Sequence, residues 1–226
     1  MNRRTSSRVA GLAFLVYIAA ALTAMILEGR ATSGAGTAAK LASIAGHATD
    51  MRLAFVLELI SCFCALALAV TLYAITRDAG PDLALLGLTC RVAEGVIGGA
   101  SLPKTLEKLW LATASGPSAP DPAAANALGA FLLKLPDWTS NVCATFFAVG
   151  SLLFACLLLR GRIVPAALAW LGVLASVLVV VCLPLELVGL LGGSFTQLMW
   201  MPMLAFEVPL ALWLIFKGAA PARNLA

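Results

Sequence analysis

A chain of 226 residues that is 62% hydrophobic and only 12% charged cannot cover its own surface in water, where domains carry about a quarter charged residues. Its net charge of +4 is scattered, with no Lys/Arg block of the kind that marks a nucleic-acid face or a polybasic lipid-binding tail. Lipid is therefore the expected solvent and partner, nucleic acid is not an expected one, and no soluble domain of any size is expected.

A bilayer core about 30 Å thick takes about 20 mostly apolar residues as helix, and six stretches qualify. The first is Val9 to Leu27. Arg3, Arg4 and Arg8 precede it, as in a signal peptide, but its apolar run exceeds the roughly 7–15 residues of a signal core, so an uncleaved span is expected. Glu28 to Met51 is rich in Gly, Ala, Ser and Thr, with a short interfacial helix expected over Lys40 to Gly46. The second span is Arg52 to Ile75. The third, Leu83 to Trp110, is long and weakened by Gly98, Gly99 and Pro103. Ala114 to Ala125 is a Pro- and Ala-rich outer loop expected to be irregular, and Ala127 to Leu135 is expected to rest on the membrane surface. Trp138 to Leu159, Val164 to Leu191 and Phe195 to Phe216 complete the set. The fold class is all-α, a polytopic transmembrane helix bundle forming one domain over residues 1–226, without a convincing internal repeat.

Loop charges set the orientation. With the N-terminus inside, Arg3, Arg4, Arg8, Arg77, Arg160, Arg162, Lys217 and Arg223 are cytoplasmic. Arg30, Lys40, Arg52, Lys104, Lys108 and Lys134 fall on two much longer outer segments, so the density per loop residue places both termini in the cytoplasm. Trp110, Trp138 and Trp200 suit the outer interface, and Trp170 and Trp213 the inner one.

Cofactor chemistry finds little support. Cys62, Cys64, Cys90, Cys143, Cys156 and Cys182 all lie in apolar runs and read as small core residues, not as a disulfide framework. Cys62 and Cys64 point about 200° apart on a helix and cannot share a metal. His47 is the single histidine. Neither a metal nor a cofactor is expected, and no nucleophile elbow, zinc-protease helix or phosphate-binding loop is present.

Ionisable groups at membrane depth carry more information. Each costs about 2.5–3.5 kcal/mol at a helix centre and therefore faces the bundle interior. Arg91 and Glu94 are three apart and share a face with Gly87, Gly95 and Gly98, a stripe suited to close helix approach. Arg91 lies roughly 12 Å and Glu94 roughly 16 Å from the inner end of their helix, and Glu207 roughly 18 Å from the outer end of its own. Glu58 and Glu186 fall in the outer half. Pro184, Pro202 and Pro209 deprive the carbonyls of Val180, Leu198 and Ala205 of their helical donors, which lipid does not replace. A polar pocket open to the outer leaflet is expected, lined by spans two, three, five and six and built on Arg91, Glu94, Glu207, Glu58 and Glu186. It would bind or translocate a small-molecule ligand or protons. Two alternatives stand beside this: a structural or partner-binding bundle whose charges only fix helix register, and, ranked last, a membrane enzyme acting on a lipid through Glu94 and Glu207.

The order and spacing of short motifs add a resemblance. Arg8-Val-Ala-Gly-Leu12 and Arg52-Leu-Ala-Phe-Val56 open the first two spans, and Leu83-Ala-Leu-Leu86 with Arg91-Val-Ala-Glu94 marks the third. Arg160-Gly-Arg-Ile-Val-Pro165 leads into the fifth, and Glu207, Leu210-Ala-Leu-Trp-Leu214 and Lys217-Gly218 mark the sixth. Over nearly its whole length the chain resembles the six-span bacterial membrane proteins grouped as domain of unknown function 4386. The resemblance implies a multi-pass protein of the bacterial inner membrane and no agreed activity. Arg91, Glu94 and Glu207 match polar positions of that family, whereas Gly161-Arg162 and Ala166 depart from its usual Ser and Pro-Arg.

Overall fold

The computed structural model describes residues 2–117, 119–134 and 138–221. Arg223 and the Leu135–Pro136 end of the expected surface segment lie outside them, as do the side chains of Lys134 and Trp138. Every regular element among the described residues is helical: α1 (Arg3–Ala31), α2 (Thr37–Gly46), α3 (Ala48–Thr76), a 3₁₀ turn (Arg77–Ala79), α4 (Pro81–Ser101), α5 (Pro103–Thr113), α6 (Pro122–Lys134), α7 (Trp138–Arg160), α8 (Ala166–Leu187), α9 (Ser194–Leu198) and α10 (Met201–Phe216).

Local chemistry explains these boundaries. Asn2 caps α1, its side chain accepting the Thr5 N–H at 2.8 Å. Pro81 and Pro103 stand in the first turns of α4 and α5, where a missing N–H costs nothing. The same Pro103 ends α4. It cannot donate to Gly99, whose carbonyl accepts instead the Leu102 N–H at 3.3 Å, and the expected long third span becomes two helices meeting at Leu102. Pro202 acts similarly on Leu198, where α9 stops. The last expected span is therefore α10 alone, 16 residues or about 24 Å long, with the short α9 before it. At the far end of α8, Val188, Gly189 and Leu190 turn their N–H groups back onto Pro184, Glu186 and Leu185. Gly189 supplies the positive φ of 75° that this helix stop requires, so α8 ends short of the expected Leu191. Among its described residues the outer loop is irregular up to Asp121 only, because its last residues, from Pro122, open α6.

Among the described residues, five stretches are long and apolar enough to cross a membrane: α1, α3, α4 with α5, α7 and α8. Together with α10 they form a closed ring in chain order. Each packs against the next, and α10 returns to α1. The composition of the ring is inverted relative to a soluble bundle. Its interior holds many small residues, among them Ala10, Ala24, Ala69, Ala84, Ala148, Ala169 and Ala211, which let helices approach closely. Large side chains such as Leu12, Phe63, Leu174 and Phe216 stay exposed, where lipid solvates them. At the closing seam, a Cβ on Gly11 would stand 2.5 Å from the Ala211 carbonyl oxygen, so α1 and α10 meet backbone to backbone. Between α8 and α10 the Phe206 ring occupies the space a side chain on Gly172 would need.

One end of the ring is tied by Arg3, which pairs with Asp78 at 3.1 Å and donates to the Ile75 carbonyl at 2.8 Å. There too the Ala219 N–H donates to Ser7 Oγ at 3.1 Å and the Ala220 N–H to the Ile163 carbonyl. The opposite end carries α2, α5 and α6, joined to α1 and α3 in a small second core of Ala31, Ile44, Met51 and Leu109, against which Leu133 of α6 packs. Trp110 and Trp170 are exposed, whereas Trp200 turns inward, its ring 5.9 Å from Phe147.

Candidate functional site

The ring interior is filled by a polar cluster. Arg91 on α4 is 1% exposed, and its guanidinium carbon lies 4.8 Å from the Phe147 ring centre and 5.6 Å from that of Tyr17. Those rings are parallel within 5°, their centres 6.5 Å apart, so aromatic faces on α1 and α7 supply cation–π contact to a charge that lipid would not tolerate. Room for the arginine stem comes from Gly150 on α7. A Cβ there would meet Arg91 Cγ at 3.1 Å and Cδ at 3.2 Å.

Glu94 follows one turn along α4. Its Oε2 lies 2.9 Å from Arg91 Nη1, and its Oε1 accepts the Tyr17 hydroxyl at 2.9 Å. The Arg91 contact is Coulombic rather than directional: among the described residues neither Glu94 Oε2 nor any nitrogen of the Arg91 guanidinium makes an aligned hydrogen bond. Glu207 on α10 is 4% exposed and within electrostatic range of both groups, and its Oε1 has no hydrogen-bond partner among the described residues. One guanidinium thus faces two carboxylates with buried polar atoms left over, an arrangement that costs free energy unless another donor completes it.

Beside this cluster opens a cavity of about 530 Å³. Glu94 and Tyr17 form its inner end, and Glu58, Ser61, Cys62 and Cys143 its middle. Lys104, Lys108 and Glu28 stand toward the end that carries α2, α5 and α6, where Lys108 Nζ meets Glu28 Oε1 at 2.7 Å. Gly95 and Gly98 thin the wall. A Cβ on Gly95 would lie 3.1 Å from the Cys62 carbonyl, and one on Gly98 3.3 and 3.5 Å from the sulfurs of Cys62 and Cys143.

Of the residues singled out by sequence, Arg91, Glu94 and Glu207 come together and Glu58 shares the cavity with Glu94. Glu186 does not join them; it is half-buried in the last turn of α8 and outside the cavity wall. The wall also differs from the expected one. It comes from spans one, two, three and four, and not from spans five and six. The cause is the ring order: α1 lies against α3, and α7 against α4, so these four enclose the space, while Glu207 and Arg91 stand behind Glu94. Tyr17, Phe147 and the Glu28–Lys108 pair did not emerge from the sequence as site residues. The available signal was Tyr17, a phenol near the midpoint of a first span whose one other polar side chain is Thr23.

Arranged in this way, the chain is an integral, multi-pass α-helical membrane protein whose interior polar cluster borders a cavity. The family model for the domain of unknown function DUF4386 matches residues 9–218, and the chain belongs to that family. No curated protein and no solved structure matches it.

Proposed function

We propose that the protein binds a small polar ligand, or passes protons, through the cavity that ends on Glu94. The observation that carries this reading is the juxtaposition of a 530 Å³ cavity with a carboxylate only 3% exposed. A helix that served packing alone would have no reason to leave an ionisable group at the end of an open space in the membrane. Glu94 is the group that meets the ligand or proton, Arg91 and Tyr17 hold its carboxylate in place, and Glu207 balances the guanidinium from behind. The excess of basic loop residues on the end holding Arg3, Arg77 and Arg160 supports termini in the cytoplasm and a cavity opening outward, in a bacterial inner membrane as the family resemblance implies.

Thiol accessibility tests the reading. Cys62 and Cys143 line the cavity, whereas Cys90 and Cys182 are buried elsewhere. In the reconstituted full chain, a neutral water-soluble methanethiosulfonate reagent is expected to modify the first two at least ten-fold faster than the second two. Equal protection of all four would mean that no water-filled cavity exists.

One observation favours the alternative of a structural cluster for part of the site. Arg91 and Glu207 do not line the cavity, so these two charges balance each other across the ring interior, whatever the cavity holds.

A further inference from the structure

A second, apolar groove lies back to back with the polar cavity. It has a volume of about 460 Å³ and is formed by Phe55, Leu59, Gly99, Leu102, Leu106 and Trp110, with Pro103 and Glu107 at its edge. The two spaces are separated by the thinnest possible wall. On α3, Glu58 faces the cavity and the next residue, Leu59, the groove. On α4, Gly98 faces the cavity and Gly99 the groove, and Leu102 belongs to both. That wall is the place where Pro103 has broken the helix, and where two adjacent glycines present no side chain. Phe55 and the buried Leu102 apart, the groove's large side chains are exposed on the outside of the ring, Leu59 at 37%, Leu106 at 39% and Trp110 at 56%, so in a membrane the groove opens to lipid.

Resting on the reading of the cavity as a ligand site, we propose that its ligand is a zwitterionic phospholipid, the head in the cavity and one acyl chain across Leu102 in the groove. Adjacency argues for an amphiphile, because a water-soluble ligand gives no account of an apolar groove divided from the polar space by Leu102 at a broken helix. Charge argues for the head. The outer part of the cavity carries both signs, Lys104 and Lys108 with Glu28 and Glu58. A purely anionic head would meet the carboxylates and a purely cationic one the ammonium groups. A zwitterionic head sets its phosphate beside the lysines and its primary amine beside the glutamates, exchanging internal contacts such as the Lys108–Glu28 pair for contacts with the head. The access route is lateral, from the outer leaflet past Leu102, with no covalent step.

The test compares the full chain in nanodiscs of phosphatidylethanolamine mixed with phosphatidylglycerol and in discs of phosphatidylglycerol alone. The readout is modification of Cys143 by the same neutral reagent, normalised to an introduced Ser115→Cys on the exposed loop. A seated ethanolamine lipid is expected to slow Cys143 modification at least five-fold relative to the glycerol lipid. The variant Gly99→Phe fills the groove at a position where a Cβ meets nothing within 4 Å, and it is expected to abolish the difference. Equal rates for wild type in both discs, with Cys143 reactive, overturn the lipid assignment and leave the cavity reading intact. A Gly99→Phe chain that still shows the full difference overturns the role of the groove. Failure of Cys143 to react in either disc, and in lipid-free detergent, overturns the cavity reading itself.

Discussion

Tyr17 reaches Glu94 from another helix through one 2.9 Å hydrogen bond, while its ring also faces Arg91. Tyr17→Phe keeps the ring and deletes the bond. Interhelical hydrogen bonds in membranes average about 0.6 kcal/mol and reach about 1.7; a charged acceptor puts this one at the upper end. A loss of about 1.5 kcal/mol is expected in reversible unfolding from detergent, and no change would mean that Glu94 is held by Arg91 alone. Ser176 makes the opposite case. Its hydroxyl is fully buried on α8 with no partner among the described residues, so Ser176→Ala removes an unsatisfied group and is expected to hold or raise the thermal midpoint. At this scale the sequence was informative about Arg91, Glu94 and Glu207, because a charge in an apolar run stands out against its surroundings. It was silent about Phe147, because nothing in composition distinguishes an aromatic ring that faces a guanidinium from one that faces lipid.

Two glycines separate the demands placed on the helices. Gly150 on α7 lies against the Arg91 stem, with Cys90 Cβ also 3.2 Å from where its own Cβ would be. Gly99 on α4 faces open space. Gly150→Ala is expected to destabilise the fold by about 1–3 kcal/mol through forced repacking. Gly99→Ala should stabilise it by about 0.4–1 kcal/mol by restricting the unfolded chain. Paired unfolding measurements check the signs, and a gain at both positions would show that the Arg91 stem is free to move aside. The helices themselves were legible because span length and proline position are properties of the sequence alone. The break at Leu102 follows from Pro103, and the shortening of the last span from Pro202. Partner choice was not legible. In lipid most helix faces are apolar, so outside the third span no amphipathic stripe marks the buried side, and sequence depth alone points to spans five and six for the cavity wall in place of one and four. Glu186 was drawn in by its depth in the sequence, which says nothing about the direction in which it faces.

For the molecule as a whole, the ring brings the two ends of the chain together. Ser7 and Ala219 touch across 212 residues of sequence, and a Ser7→Cys, Ala219→Cys pair is expected to form a disulfide under mild oxidation. Failure to cross-link would place α10 away from α1. Sidedness follows from the same arrangement. Asp78 lies in the turn after α3 at the Arg3 end, and Ser115 beyond α5 at the other. In intact cells, an impermeant thiol reagent is expected to reach Ser115→Cys at once and Asp78→Cys only after permeabilisation. The reverse pattern would invert the protein and turn the cavity toward the cytoplasm. Overall class was the most legible level, because 62% apolar residues leave a chain of this length no aqueous alternative.

The seam between Gly11 and Ala211 also imposes a timetable on biosynthesis. These residues are 200 positions apart, and at about 5–20 residues per second the first helix waits roughly 10–40 seconds in the bilayer before its last neighbour is made. Arg91 is better provided for. Tyr17 is already inserted when Arg91 emerges, and Glu94 follows within three residues, so its charge is accompanied from the outset. Glu207 arrives more than a hundred residues later, when the ribosome has nearly finished. The nascent protein is therefore an open crescent for most of its synthesis. The flank of α1 at Gly11, which the finished fold closes against Ala211, stays uncovered until α10 is made.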